Sequence, residues 1–203
     1  ETIRRATGYV ASPADFVLSG PHFYAGNPIS KTPKRVCETH KAYDNVDLTT
    51  IPSDYLPRSN YVPACDVATY ASRVPHVSWV DDGEKAPKPV TAYYRLAARA
   101  MISTGAEKGL VASIIPKHIS HTNGVRSYVF RSSQDLVGFG GLAFSLPFDF
   151  MMKISGRTNL HQSLDDYPFP ETLRENQKFR SRTLSLTALT SHYADLWHEC
   201  WQS

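Results

Sequence analysis

The side chains best suited to chemistry lie in one short polar stretch, KHISHTNGVRS, between two apolar segments. Its residue types are those that read DNA: arginine pairs with guanine and asparagine with adenine, while lysine, serine and threonine hold phosphates. We expect Asn123 and Arg126 to contact bases, and Lys117 and His121 to contact phosphates. The other candidates in this stretch are His118, Thr122 and Ser127. A polar surface hairpin without a ligand is the open alternative, since Gly124 favours a tight turn.

Two further polar segments extend this hypothesis. The stretch KISGRTNLHQS adds a second set of DNA-binding candidates: Lys153, Arg157, Thr158, Asn159 and His161. The stretch SKTPKR adds a possible clamp on the DNA backbone, or only a solvated turn: Lys31, Lys34 and Arg35. Residues 116–161 carry five Lys or Arg against two acidic residues, an excess that suits a polyanionic partner, although solvated faces often show as much.

Catalytic motifs are not evident. Serines, histidines and aspartates occur without a nucleophile elbow. Asp165 and Asp166 lack the further Asp/Glu-x-Lys arrangement of nuclease sites, so a turn or helix cap is the simpler interpretation. Cys37 and His40 have no second pair of ligands, and we expect no metal site. The stretch NPIS is similar to the Asn-Pro-Pro-aromatic loop of amino-methylating enzymes, but Ile29 and Ser30 replace the second proline and the aromatic ring.

Composition predicts a single globular domain over residues 1–203. Hydrophobic residues make up 41% of the chain and charged residues 20%, which is ordinary for such a domain. No apolar run approaches the roughly 18 residues that cross a bilayer, so we expect no membrane. Three widely spaced cysteines predict reduced thiols and a cytoplasmic location. Because the chain begins with Glu1, we expect a C-terminal fragment of a longer enzyme.

The coarse pattern predicts an α+β fold, with a small mixed β-sheet, flanking helices and long polar loops. Residues 1–13 are predicted to be a lead-in, and VTAYYRLAARAMIS a helix capped by Thr91 and ended by Gly105. GLVASIIP and SYVF are predicted strands, and DLVGFGGLAFSLPFDFMMKIS a helix interrupted near Pro147. Its Gly-Phe-Gly-Gly indicates close helix packing rather than a nucleotide site. Residues 177–203 are predicted to form a long amphipathic helix with this apolar face: Leu186, Leu189, Tyr193, Leu196, Trp197 and Cys200.

Three segments, read together, resemble the target-recognition region of large prokaryotic DNA adenine methyltransferases. They are LSGPHFYAGNPISKTPK with IPSDYLPRSNYVPA, then YYRLAARAMISTGAEKGLVASIIPKHISHTN, then FGGLAFSLPFDFMMKISGRTNLHQSLDDYPFP. The likeness covers about two-thirds of the chain and is nearest to restriction-modification enzymes of the Eco57I kind and related phage-defence methyltransferases.

This resemblance implies sequence-specific recognition of double-stranded DNA, with no catalysis and no cofactor in these residues. A methyltransferase domain of the same or a partner chain would flip the adenine and transfer methyl from S-adenosylmethionine. The parent enzyme could also cleave DNA. The alternative is an interaction or scaffolding domain of a defence complex, which would dock through Tyr193, Trp197 and Trp201.

Overall fold

The computed structural model describes residues 1–161 and 163–201. Helices and small separate sheets share this part of the chain, which confirms the predicted α+β class. The strands are β1 (Ile3–Gly8), β2 (Val17–Leu18), β3 (Lys31–Pro33), β4 (Tyr43–Asn45), β5 (Ser59–Pro63), β6 (Arg95–Arg99), β7 (Ala112–Ile115), β8 (Ser120–His121) and β9 (Val125–Val129). The helices are α1 (Val67–Ser72), α2 (Ser133–Phe144), α3 (Leu146–Ile154), α4 (Glu171–Arg174), α5 (Gln177–Thr187) and α6 (Ala194–Cys200).

Within these residues the strands form several small sheets instead of one. The largest has the order β7-β6-β9 and is antiparallel throughout. Strand β2 pairs in parallel with β8, whereas β3 pairs antiparallel with β4. Strand β1 pairs antiparallel with β5, so the predicted lead-in is wrong: residues 1–13 contain a paired strand.

The predicted helix over VTAYYRLAARAMIS is wrong. Residues 95–99 form the central strand β6, and Leu96, Ala97 and Ala98 are fully buried. A strand covered on both faces has no polar side, so its sequence is an uninterrupted apolar run that periodicity does not distinguish from a helix. Thr91 lies in a short 3-10 turn and Gly105 in a loop, and neither bounds a helix.

The predicted interrupted helix is confirmed. Helices α2 and α3 meet at Ser145 with a bend of 66°. The side chain of Ser145 caps α3 by accepting from the Phe148 N–H at 3.4 Å. The glycines of α2 serve close packing, as predicted, because a Cβ atom on Gly140 would lie 3.0 Å from Ile114 and one on Gly141 would meet Phe179 at 2.8 Å. Among the described residues no single helix is long and apolar enough to cross a membrane; only the bent pair α2–α3 reaches that length and composition together.

The C-terminal segment is two helices, not the one long helix predicted over 177–203. Helix α5 ends at Thr187, and α6 begins at Ala194 after a 3-10 turn. Tertiary contacts hold the break: Tyr193 is buried and donates its hydroxyl to the Ile114 carbonyl at 2.7 Å, and Trp197 Nε1 donates to Ala188 at 2.9 Å. Residues 202–203 of the predicted helix lie outside the described residues.

Two apolar clusters lie around the three-stranded sheet. The larger joins β6 and β7 to helices α2, α3, α5 and α6 through residues such as Leu96, Ile114 and Leu136. The smaller joins the sheet to the N-terminal half through Phe16, Leu18, Phe23, Ile115 and Val125. The polar loops that follow β7 and α3 therefore start from well-packed elements.

Candidate DNA-binding surface

The first polar loop is fixed at both ends by backbone hydrogen bonds. Pro116 follows β7, and His118 adopts a positive φ of 70° as the chain turns. Strand β8 then aligns beside β2, and the Thr122 N–H donates to the Leu18 carbonyl at 2.9 Å. The tip is a turn at Asn123 and Gly124 that leads into β9.

The side chains of this loop divide into free and occupied groups. His118, Asn123 and Arg126 are exposed. Lys117, predicted to hold a phosphate, makes an ion pair with Asp195 at 2.9 Å and lies over the Tyr94 ring. A phosphate would therefore have to displace a carboxylate from Lys117.

His121 faces inward and makes two hydrogen bonds. Its Nδ1 lies 3.0 Å from the Thr122 carbonyl, which only accepts, so Nδ1 carries the proton. Its Nε2 then accepts from the Ser127 hydroxyl at 2.8 Å. Burial lowers the pKa of His121, and the charges of Arg95 and Arg126 lower it further against the opposing hydrogen bond to Thr122. At neutral pH His121 is an uncharged structural group, so it is poorly suited to the phosphate contact predicted for it.

The second loop also has an occupied lysine. Lys153 donates to the carbonyls of Ala106 and Glu107 at 2.8 and 2.9 Å and pairs with the buried Asp149 at 3.2 Å. Thr158 and His161 are exposed, whereas Arg157 lies 4.0 Å from Asp166. The Asn159 side-chain oxygen accepts from the His161 N–H at 3.1 Å, which fixes the turn.

The structure brings the two loops together on either side of residues 100–102. The Ala100 N–H donates to Gly124 in the first loop at 2.9 Å, and the Ala100 carbonyl accepts from Leu160 in the second at 2.8 Å. The Ile102 N–H also donates to Thr158. The hydroxyl of Tyr128, on β9, donates to the His161 carbonyl at 3.0 Å. Two segments about 35 residues apart in the sequence are thus neighbours.

A groove of about 970 Å³ opens beside the tip of the first loop. We call it the basic groove, because four cationic side chains and one carboxylate, Glu38, line it. The cations are Arg5, Lys31, Lys41 and Arg99, and the loop contributes Thr122 and Asn123. Lys31 belongs to the predicted clamp, so clamp and loop share a surface. Lys34 and Arg35 do not line the groove, and Lys34 lies 3.6 Å from Asp44.

Not all of these cations are equally available. Arg99 donates through Nε to the Gly20 carbonyl at 2.8 Å and through Nη2 to the Phe23 carbonyl at 2.6 Å. Burial lowers the pKa of Arg99. Arg5 donates to the Cys37 carbonyl, whereas Lys41 is exposed. Arg5 is nevertheless exposed, so Arg5, Lys41 and the half-buried Lys31 are the groove's available positive charges.

The floor of the groove is a buried polar network. His22 Nδ1 accepts from the Ser19 backbone N–H at 3.0 Å, so its Nε2 donates to the Arg58 carbonyl at 2.9 Å. Burial lowers the pKa of His22 to about 4, and burial raises the pKa of Tyr43, bonded to Ser19 Oγ at 2.8 Å, to about 12. The Nδ1 lone pair faces both the Ser19 backbone N–H and Ser19 Oγ, which also lies 3.0 Å away, and this network shapes the groove.

Sequence reasoning missed most of the groove's charge. Arg5, Lys41 and Arg99 come from three distant parts of the chain, and no local spacing connects them. These side chains meet only through the tertiary fold, since Arg5 lies on β1, Lys41 precedes β4 and Arg99 ends β6. Comparisons with protein-family models, with curated proteins and with solved structures found no match to this chain.

Proposed function

We propose that this chain binds double-stranded DNA sequence-specifically and presents an adenine to a separate methyltransferase domain that uses S-adenosylmethionine. One observation carries the proposal: Lys31, from one predicted DNA-binding segment, and Asn123, from another, line the same basic groove. Lys31 and Lys41 would hold phosphates, and Asn123, exposed at the tip of its turn, would read a base edge. The phosphate backbone is the natural partner of a surface with this charge excess.

The test is binding of fluorescent duplexes followed by anisotropy over a series of salt concentrations. Because each neutralised phosphate releases counterions, log affinity should fall linearly with log salt, with a slope of about −0.9 per contact. Lys41→Ala should reduce the steepness of that slope by the contribution of about one phosphate contact, and should weaken the affinity for all duplex sequences alike. Asn123→Ala should instead weaken the preferred sequence by roughly 5- to 100-fold, equivalent to about 1–3 kcal/mol, and leave the slope unchanged.

A matched control is available outside the groove. Lys178 is exposed on α5 and lies outside the groove, so Lys178→Ala removes the same charge without touching the proposed surface. Equal losses for Lys41→Ala and Lys178→Ala would show that net charge alone drives binding. No duplex binding by the wild-type protein at low salt would refute the proposal.

A second candidate function, docking to a partner protein, is favoured by a different surface. Tyr193 is only 1% exposed, so it cannot contribute to the docking face predicted from Tyr193, Trp197 and Trp201, and that prediction is wrong for Tyr193. Trp201 is 49% exposed. Helix α3 instead exposes an apolar face at helical spacing, formed by Leu146, Phe150 and Ile154 with exposures of 75%, 63% and 67%.

The double variant Phe150→Ser with Ile154→Ser separates the two functions. If the chain docks a methyltransferase domain through α3, this variant should lose the protein complex in gel filtration and keep its affinity for duplex. Loss of duplex binding with the complex intact would assign DNA contact to α3 and contradict both proposals.

A further inference from the structure

Arg95 is the most anomalous charged group in the described chain. It lies on the central strand β6 with an exposure of only 1%. Its Nη2 donates to the Ile119 carbonyl and its Nη1 reaches Ser127 Oγ at 3.4 Å. Its Nε makes no hydrogen bond to any described residue. A buried charge with an unmet donor is costly, so its surroundings need an explanation.

No carboxylate among the described residues shifts the pKa of Arg95 or lines the cavity beside it. Burial lowers the pKa of Arg95 to about 10, against a smaller opposing effect of the Tyr70 hydroxyl, so the guanidinium stays charged at neutral pH. Arg95 borders a cavity of about 380 Å³, and among the described residues that line it there is no aspartate or glutamate. Two more cations, Arg73 and Arg126, line the same cavity.

The cavity, which we call the arginine pocket, also contains neutral hydrogen-bonding groups. Tyr70, Thr91 and Ser120, which carry hydroxyl groups, line it together with His121. Ser127 Oγ donates a hydrogen bond to His121 and accepts one from Arg95 Nη1, so this hydroxyl is already oriented toward the buried guanidinium. A charged guanidinium fork with hydroxyls around it matches an oxyanion of several acceptor oxygens.

We propose that the arginine pocket binds a phosphate group, with Arg95 beneath it and Arg73 and Arg126 at its mouth. Arg73 and Arg126 are exposed, so they remain accessible from solvent, and Arg73 is already oriented by hydrogen bonds to Glu1 and Thr2. Two sources have this chemistry: a phosphodiester of bound DNA and a free phosphate-bearing small molecule. The pocket and the basic groove share no lining residue, and the proposal stands whether or not the chain binds DNA.

The experiment titrates the intact chain with inorganic phosphate at constant ionic strength, using calorimetry and amide NMR shifts. We expect saturable binding whose shifts centre on residues 95 and 120–127. Arg126→Gln and Arg73→Gln should each weaken phosphate affinity by about 3- to 10-fold, the range of a charge-assisted contact shared with solvent. Arg182→Gln, an exposed arginine on α5 outside the pocket, should leave the affinity unchanged.

Arg95→Gln should abolish saturable phosphate binding. If that variant fails to fold, the variants of the exposed residues, Arg73→Gln and Arg126→Gln, still test the proposal. Non-saturable binding, or equal affinity in wild type, Arg73→Gln and Arg126→Gln, would overturn the proposal. A duplex added to the phosphate complex distinguishes the sources. Displacement of phosphate identifies the DNA backbone as the ligand, and unchanged phosphate affinity identifies a free phosphate ligand.

Discussion

Asp149 provides the sharpest stability prediction, because this single carboxylate joins α3 to the segment before β7. It is 4% exposed, and one of its oxygens accepts from the N–H groups of Gly109 and Leu110, both at 2.7 Å. Its other oxygen lies 3.2 Å from Lys153 Nζ. Replacing Asp149 with alanine leaves both amides without an acceptor and leaves Lys153 with backbone carbonyls only.

The expected cost follows from these contacts. A hydrogen bond to a charged group contributes about 1.5–3 kcal/mol, so losing two predicts a loss of about 3–6 kcal/mol in the free energy of unfolding for Asp149→Ala. The ion pair with Lys153, itself 25% exposed, adds at most about 1 kcal/mol. Asp149→Asn keeps an acceptor oxygen and loses the charge, so we expect a smaller loss of about 1–2 kcal/mol.

Equilibrium unfolding in urea measures both variants, with the midpoint and the slope fitted separately. We expect the free energy of unfolding to fall from wild type to Asp149→Asn and further to Asp149→Ala, with the urea slopes unchanged. A loss below about 1 kcal/mol for Asp149→Ala would refute the assignment of Asp149 as the structural anchor of this junction.

Three further predictions concern other parts of the chain. Gly141→Ala should destabilise the fold by about 1–3 kcal/mol, because its Cβ would meet Phe179 in the α2–α5 contact, and thermal unfolding measures it. The pKa of His22 is about 4 in the folded protein, below its unfolded value, so the contribution of neutral His22 to the free energy of unfolding is fully present above about pH 6.5 and is lost as pH falls towards about 4. A free energy of unfolding in urea that stays constant between those pH values would contradict this. A double-mutant cycle of Lys117 and Asp195 should give a coupling of no more than about 0.5 kcal/mol, because the pair is solvent-exposed, and a larger coupling would mean that it holds the first loop in place.

The sequence predicted those elements whose turn and capping residues lie within a few positions of the element itself. The buried strand β7 (Ala112–Ile115) lies between Gly109 and Pro116, and the break between α2 and α3 coincides with a capping serine and a proline in the first turn. Residues 155–161 form a turn and loop as predicted, whereas the first polar stretch also contains β8 and the start of β9, and β3 covers Lys31–Pro33. Each correct prediction follows from backbone constraints within a few residues, which sequence alone contains.

The failures arise where tertiary contacts override local preference. Residues 95–99 read as a helix because Leu96, Ala97 and Ala98 favour one, yet β7 and β9 hydrogen-bond to both edges of this segment and make it a strand. The C-terminal helix breaks where Tyr193 bonds to the distant Ile114 carbonyl and Trp197 bonds back to Ala188 at the end of α5. Lys117 and Lys153 were counted as free cations, and only the fold reveals the carboxylates that they pair with.

Amide NMR mapping of a duplex on the intact chain tests the central claim most directly. If DNA lies across the basic groove, shifts should concentrate in residues 31–41 and 120–127 and should weaken together as salt rises. Shifts confined to the apolar face of α3, or no shifts at low salt, would contradict DNA recognition by this surface.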